Sequence, residues 1–92
     1  MGLSKGEIAL RQLVEEKVPG AEPDELSSLL SKVVVENTFS GWQVQPSVSA
    51  IIKRDIILEL AKYAKEHTNV KLSPDDYSMF SQEAMKYVEK HY

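Results

Sequence analysis

The chain is expected to fold as a small all-α four-helix bundle with a long central third helix. Three features of the sequence point there. Apolar residues recur at i, i+3, i+4 and i+7 rather than in strict alternation. Proline and acidic residues gather where helices would start. No Asn-Gly, Asp-Gly or Gly-Gly pair separates two alternating runs, so nothing marks a β-hairpin. Ninety-two residues make a single domain, residues 1–92. A chain this short buries only about 60–65% of its unfolded surface, so each helix must contribute a full apolar face.

Ser4 and Glu7 have the spacing of a capping box and open the first helix. Leu10, Leu13, Val14 and Val18 follow on one broad face, and Pro19-Gly20 ends it. Glu22-Pro23-Asp24-Glu25 opens the second helix, with proline in the first turn and acids at the positive end of the helix dipole. Leu26, Leu29, Leu30, Val33 and Val34 then form the cleanest amphipathic repeat of the chain, with Ser27, Ser28, Ser31 and Lys32 on the opposite side. Asn37-Thr38 closes this helix.

The connection Phe39-Ser40-Gly41-Trp42 carries two aromatics around a glycine and is expected to pack onto the core. Phe39 and Trp42 would anchor it, and the indole N–H needs a partner if buried. Gln45 precedes a proline and should be extended. Ser47 is then placed to cap the third helix. The segment from Trp42 to Tyr63 is expected to form one rod, and Ala64, Lys65 and Glu66 extend it. Its apolar arc is wide, taking in Ala50, Ile52, Ile56, Ile57, Leu60, Ala61, Tyr63 and Ala64, which implies burial on more than one side. Ile51 and Leu58 project instead from the charged arc. Residues 67–72 form a linker. Ser73-Pro74-Asp75-Asp76 caps and starts the fourth helix, whose face carries Tyr77, Phe80, Ala84, Tyr87, Val88 and His91.

Composition narrows the function. The net charge of -3 gives no general basic surface for nucleic acid or anionic membrane. Without cysteine there is no disulfide framework and no thiolate zinc site. No apolar run exceeds three residues, so no membrane partner is expected, and with no signal-peptide pattern a cytoplasmic location is. The glycines are scattered and build no phosphate loop. His67 and His91 lack ligands at helical spacing, and Asp75-Asp76 are accounted for by capping, so no catalytic, cofactor or metal residue is assigned. Lys53, Arg54, Lys62 and Lys65 make a modest basic cluster. It is balanced by Asp55, Glu59 and Glu66 through pairs such as Glu59 with Lys62 and Lys62 with Glu66. An apolar pair ringed by charge has the makeup of a small docking site, so Ile51, Leu58, Arg54, Lys62 and Lys65 are the expected partner-binding residues.

The string from Trp42 to Tyr63, WQVQPSVSAIIKRDIILELAKY, resembles the C-terminal helical domain of the R (restriction, motor) subunit of type I restriction-modification enzymes. The pattern of that domain falls on Trp42, Ser47, Val48, Ala50, Ile52, Lys53, Ile57, Leu60, Lys62 and Tyr63. The start of the chain, with Glu7-Ile8-Ala9, is similar to a family segment that begins with an acidic helix start. The resemblance implies a fragment of a larger, ATP-dependent type I site-specific deoxyribonuclease. ATP, magnesium and the nuclease carboxylates would belong to its other domains. This fragment would dock the motor onto the methyltransferase and specificity subunits and meet DNA indirectly or weakly. Two other classes remain open: a stand-alone nucleic-acid-binding module using the basic cluster, and a protein that self-associates through Ile51 and Leu58.

Overall fold

The computed structural model of the chain describes residues 5–92, so the expected Ser4 cap lies outside the described residues. Four helices follow one another: α1 (Lys5–Lys17), α2 (Pro23–Asn37), α3 (Pro46–Glu66) and α4 (Pro74–His91). The rod expected from Trp42 to Tyr63 is interrupted at its start: Trp42–Val44 form a separate 3-10 turn, Gln45 is extended, and α3 begins only at Pro46. Among the described residues there is no strand. The expected all-α bundle with a long third helix is the observed fold.

The starts obey local chemistry. Pro23 and Pro74 sit in the first turns of α2 and α4, followed by Asp24 and Glu25 and by Asp75 and Asp76. Ser73 forms a full capping box: its Oγ accepts from the Asp76 amide at 3.2 Å, and Asp76 accepts from the Ser73 amide at 2.9 Å. At α3 the cap moves. Gln45 is extended, with φ −112° and ψ 100°, and is itself the N-cap, while Pro46 takes the first helical position. Proline's fixed φ suits that place and starts the helix two residues before a Ser47 cap would. Ser47 therefore lies exposed inside the first turn and caps nothing.

Contacts run around a ring. α1 packs on α2 and α4, and α3 packs on α2, on α4 and on the 3-10 turn. Short connections make each helix antiparallel to the next. One end of the bundle gathers the α1 start, the α2 end, Trp42 and Tyr92; the other gathers Gly20, Glu22, Tyr63 and Asn69. The core takes Leu10, Leu13 and Val14 from α1, Leu26, Leu30 and Val34 from α2, and Phe80, Ala84 and Val88 from α4. α3 contributes one stripe, Ile52, Ile56, Leu60 and Tyr63. Ala50 and Ala61, expected inside, are exposed. α2 and α4 pack on the two flanks of α3 and leave these two alanines uncovered.

The loop before α3 splits its aromatics. Gly41 adopts φ 84°, and Trp42 donates its amide to the Phe39 carbonyl at 3.1 Å. Trp42 is 1% exposed and its Nε1 donates to the Tyr92 main-chain oxygen at 3.3 Å, so the indole is the anchor expected of it. Phe39 is 49% exposed and is no core anchor. Trp42 has taken the interior position at this end of the bundle, and Phe39 borders a surface depression instead.

Tyr92 was not singled out by any pattern, yet it ties three elements. Its hydroxyl is 2.6 Å from Ser31 Oγ, and its ring lies so close to Gly6 that a Cβ there would come within 2.2 Å of it. At the opposite end Glu22 donates its amide to the Tyr63 hydroxyl at 3.0 Å, and Asn69 donates to the Gly20 carbonyl at 2.9 Å. Val70, in the expected linker, is buried there.

Candidate docking face

Two of the α2 serines are inside. Ser27 is fully buried and Ser31 is 6% exposed, while Leu29 and Val33 are only half-buried. The buried face of α2 is thus turned toward the serines by roughly 60° on a wheel of 100° per residue, relative to the apolar repeat. Ser31 reaches Tyr92, and Ser27 Oγ donates to the Asp24 carbonyl at 3.2 Å, so neither hydroxyl is stranded. Small polar groups let α2 sit close on this flank. Leu29 and Val33 are left facing α3 along an open seam.

On α3, the residues expected to bind a partner come together. Ile51, Arg54, Leu58, Lys62 and Lys65 fall within about 80° of arc at 100° per residue, and all are exposed. Ile51 is 39% and Leu58 58% exposed, and no helix covers either. Two helical turns, about 10 Å, separate them. Arg54 contacts its neighbour Asp55 at 3.4 Å. The pairs expected to neutralise this helix, Glu59 with Lys62 and Lys62 with Glu66, are not formed among the described residues. Apart from the Arg54–Asp55 contact, the charges of α3 are therefore not paired within the helix among the described residues.

Between α2 and α3 runs a shallow groove. Leu29 and Val33 from one side and Leu58 from the other give it an apolar floor. Carboxylates dominate the walls: Glu25 and Glu36 from α2, Asp55, Glu59 and Glu66 from α3. Only Lys32 and Lys62 oppose them. Asn37 bridges the walls at one end, donating to Asp55 at 3.3 Å. Sequence reading missed this groove because it placed Leu29 and Val33 in the core. The signal available was the excess of apolar residues on α2 over what one buried face can take.

His67 plays a structural part. The His67 ring stacks on Tyr63 at 3.9 Å between centroids, and its Nδ1 is 3.0 Å from the Tyr63 carbonyl. Its Nε2 lies 3.8 Å from Glu25. His67 is the C-cap of α3, and its main-chain N–H donates to the Tyr63 carbonyl. No group of three His, Cys, Asp or Glu among the described residues could hold a metal ion. No described helix is long and apolar enough to cross a membrane. Elsewhere, Arg11 joins α1 to α2 through Asp24. That hydrogen bond, then the charges of Asp24 and Glu15, raise the guanidinium pKa further above its ordinary value.

No family model, no curated protein and no solved structure matches this chain.

Proposed function

We propose that this chain is a helical docking module that seats the exposed edge of α3 on a larger assembly. The observation that carries the reading is the placement of Ile51 and Leu58 on one uncovered face beside Arg54, Lys62 and Lys65. An apolar centre with a charged rim is the usual anatomy of a protein interface. The Trp42-to-Tyr63 pattern supports a more specific version. In it, the chain is the assembly domain of a type I restriction R subunit, and its partner is the methyltransferase–specificity core. The module then works in the cytoplasm and takes no direct part in catalysis. ATP and magnesium act in other domains of the parent subunit, and DNA is met only indirectly or weakly.

Capture of a methyltransferase–specificity core by the chain tests this. The Ile51→Asp plus Leu58→Asp variant should lose capture while keeping its helical circular dichroism. Unchanged capture by the folded variant removes the α3 edge from the proposal.

The same exposed pair favours a second reading, self-association. Sedimentation of the isolated chain separates the two, because a monomer at high concentration leaves only the heterologous partner. Direct nucleic-acid binding has less support. Lys53, Arg54, Lys62 and Lys65 are interleaved with carboxylates on the same helix, and the adjoining groove is acidic. A basic footprint that loses affinity steeply with salt needs more uncompensated cations than this face carries.

A further inference from the structure

Ile51 and Leu58 alone are too small for a stable complex, since a specific interface buries about 800 Å² on each partner. The groove beside them supplies the missing area. Its apolar floor of Leu29, Val33 and Leu58 continues directly from the α3 edge. Its three adjoining depressions hold about 220, 270 and 240 Å³. Each falls short of the ~300–1,000 Å³ typical of small-molecule sites, and all three are open. A groove of this kind suits a polypeptide.

Charge selects the polypeptide. Five carboxylates face the groove against two ammonium groups. Glu36, Glu59 and Glu66 take part in no ion pair among the described residues. Apposing a second copy of this acidic groove would bring like charges together, which costs affinity. The shape selects its conformation. Among the described residues no strand edge offers β-addition, and a floor of aliphatics between charged walls is what the apolar face of an amphipathic helix fills. The α2 wall, residues 25–37, is about 18 Å long at 1.5 Å per residue, so it matches a helix of three to four turns.

We infer that the α2–α3 groove binds a basic amphipathic helix of a partner protein, its leucine-like side chains on Leu29, Val33 and Leu58 and its Lys/Arg rim on Glu25, Glu36, Asp55, Glu59 and Glu66. This rests on the docking reading above and names the chemistry of the partner segment.

The probe is a synthetic peptide with Leu at i, i+4, i+7 and i+11 and Lys or Arg at the flanking positions. It is titrated into the isotope-labelled full chain and followed by amide chemical shifts. Shifts should be confined to residues 25–37 and 55–66. Affinity should fall at least about tenfold between 50 and 200 mM salt, as attraction between solvated charges requires. The Glu36→Lys plus Glu59→Lys variant should weaken binding by about tenfold or more, and the milder Glu36→Gln plus Glu59→Gln variant by less. Three results overturn the inference. One is a Lys-to-Glu version of the peptide binding equally well. Another is shifts centred on the 38–43 depression or scattered over the surface. The third is no shift at millimolar peptide and low salt. An unmutated chain that binds the peptide yet captures no methyltransferase–specificity core would instead sink the restriction-complex reading and leave the groove standing.

Discussion

Along one flank of α2, Ser27 and Ser31 are shut away from water; along the other, Leu29 and Val33 keep part of their surface wet. The usual order of polarity is reversed across a single helix. On the closed flank α1 and the Tyr92 ring come near, and small side chains with local hydrogen-bond partners permit that approach. On the open flank, toward α3, a seam of branched aliphatics lies between two rows of carboxylates. A folded chain that hides hydroxyls and shows leucine has its stability on one side and its unused apolar surface on the other. The two flanks should respond to mutation in opposite ways.

The largest contrast is within α3. Ile56 is fully buried and Leu58, two residues on, is 58% exposed. Ile56→Ala should cost about 2–5 kcal/mol, a large part of the ~5–15 kcal/mol available to a domain of this kind. Leu58→Ala removes a similar side chain and should change stability by less than about 0.5 kcal/mol. Urea unfolding of the two variants measures both. Equal losses would mean that the outer face of α3 is covered in solution, as by a second copy.

Next come the two glycines held at positive φ. Gly20, at φ 88°, packs against the backbone of Asn69, whose carbonyl oxygen would lie 2.6 Å from an added Cβ. Gly41, at φ 84°, has open space around it. Left-handed backbone alone costs an L-residue about 1–2 kcal/mol. Gly41→Ala should show that cost and little more. Gly20→Ala must also push back the linker and lose the Asn69 bond, and should cost about twice as much. Thermal melts of both variants decide it. Similar shifts would show that the contact between the two connections yields easily.

Much of this architecture can be read without coordinates. Pro23, Pro74 and the Ser73–Asp76 box fix helix starts through chemistry confined to a few neighbouring residues, and such signals survive folding unchanged. The roll of α2 was not legible. Its repeat of five apolar residues is wider than one helix–helix contact, and only tertiary packing decides which edge is given up. The Tyr92 contacts were equally hidden. Ser31 and Tyr92 are 61 residues apart and neither belongs to an amphipathic stripe. Of the proposed docking residues, Ile51 and Leu58 were recognisable because they break the pattern of their own helix. The groove beside them was not, because two of its floor residues fit the pattern of theirs.

The Ser31–Tyr92 contact gives a smaller effect on the closed flank. Ser31→Ala and Tyr92→Phe each remove one partner of a 2.6 Å hydrogen bond in a part-buried setting. Each should cost about 1 kcal/mol, and the double variant should cost little more than either single one, because the second change removes a group already without its partner. Additive losses in a double-mutant cycle would mean that the two hydroxyls act separately, and that the closed flank owes its burial to ring packing against Gly6.

The smallest effect reads the open flank directly. Leu58 lies on the groove floor beside Asp55, Glu59 and Glu36. A charge introduced there meets carboxylates on both walls and water above. Leu58→Asp adds a like charge to that field and Leu58→Lys adds an opposite one. Exposed pairs are worth only a few tenths of a kcal/mol, so neither variant should shift stability by more than about 0.5 kcal/mol. The order of the two is what matters: Leu58→Lys should be the more stable at low salt, and the gap should close as salt screens both walls. Without a partner, this pair of variants measures the sign of the potential that an arriving helix would feel. If Leu58→Asp proved the more stable, the groove would be governed by Lys32 and Lys62, and a basic segment would no longer fit it.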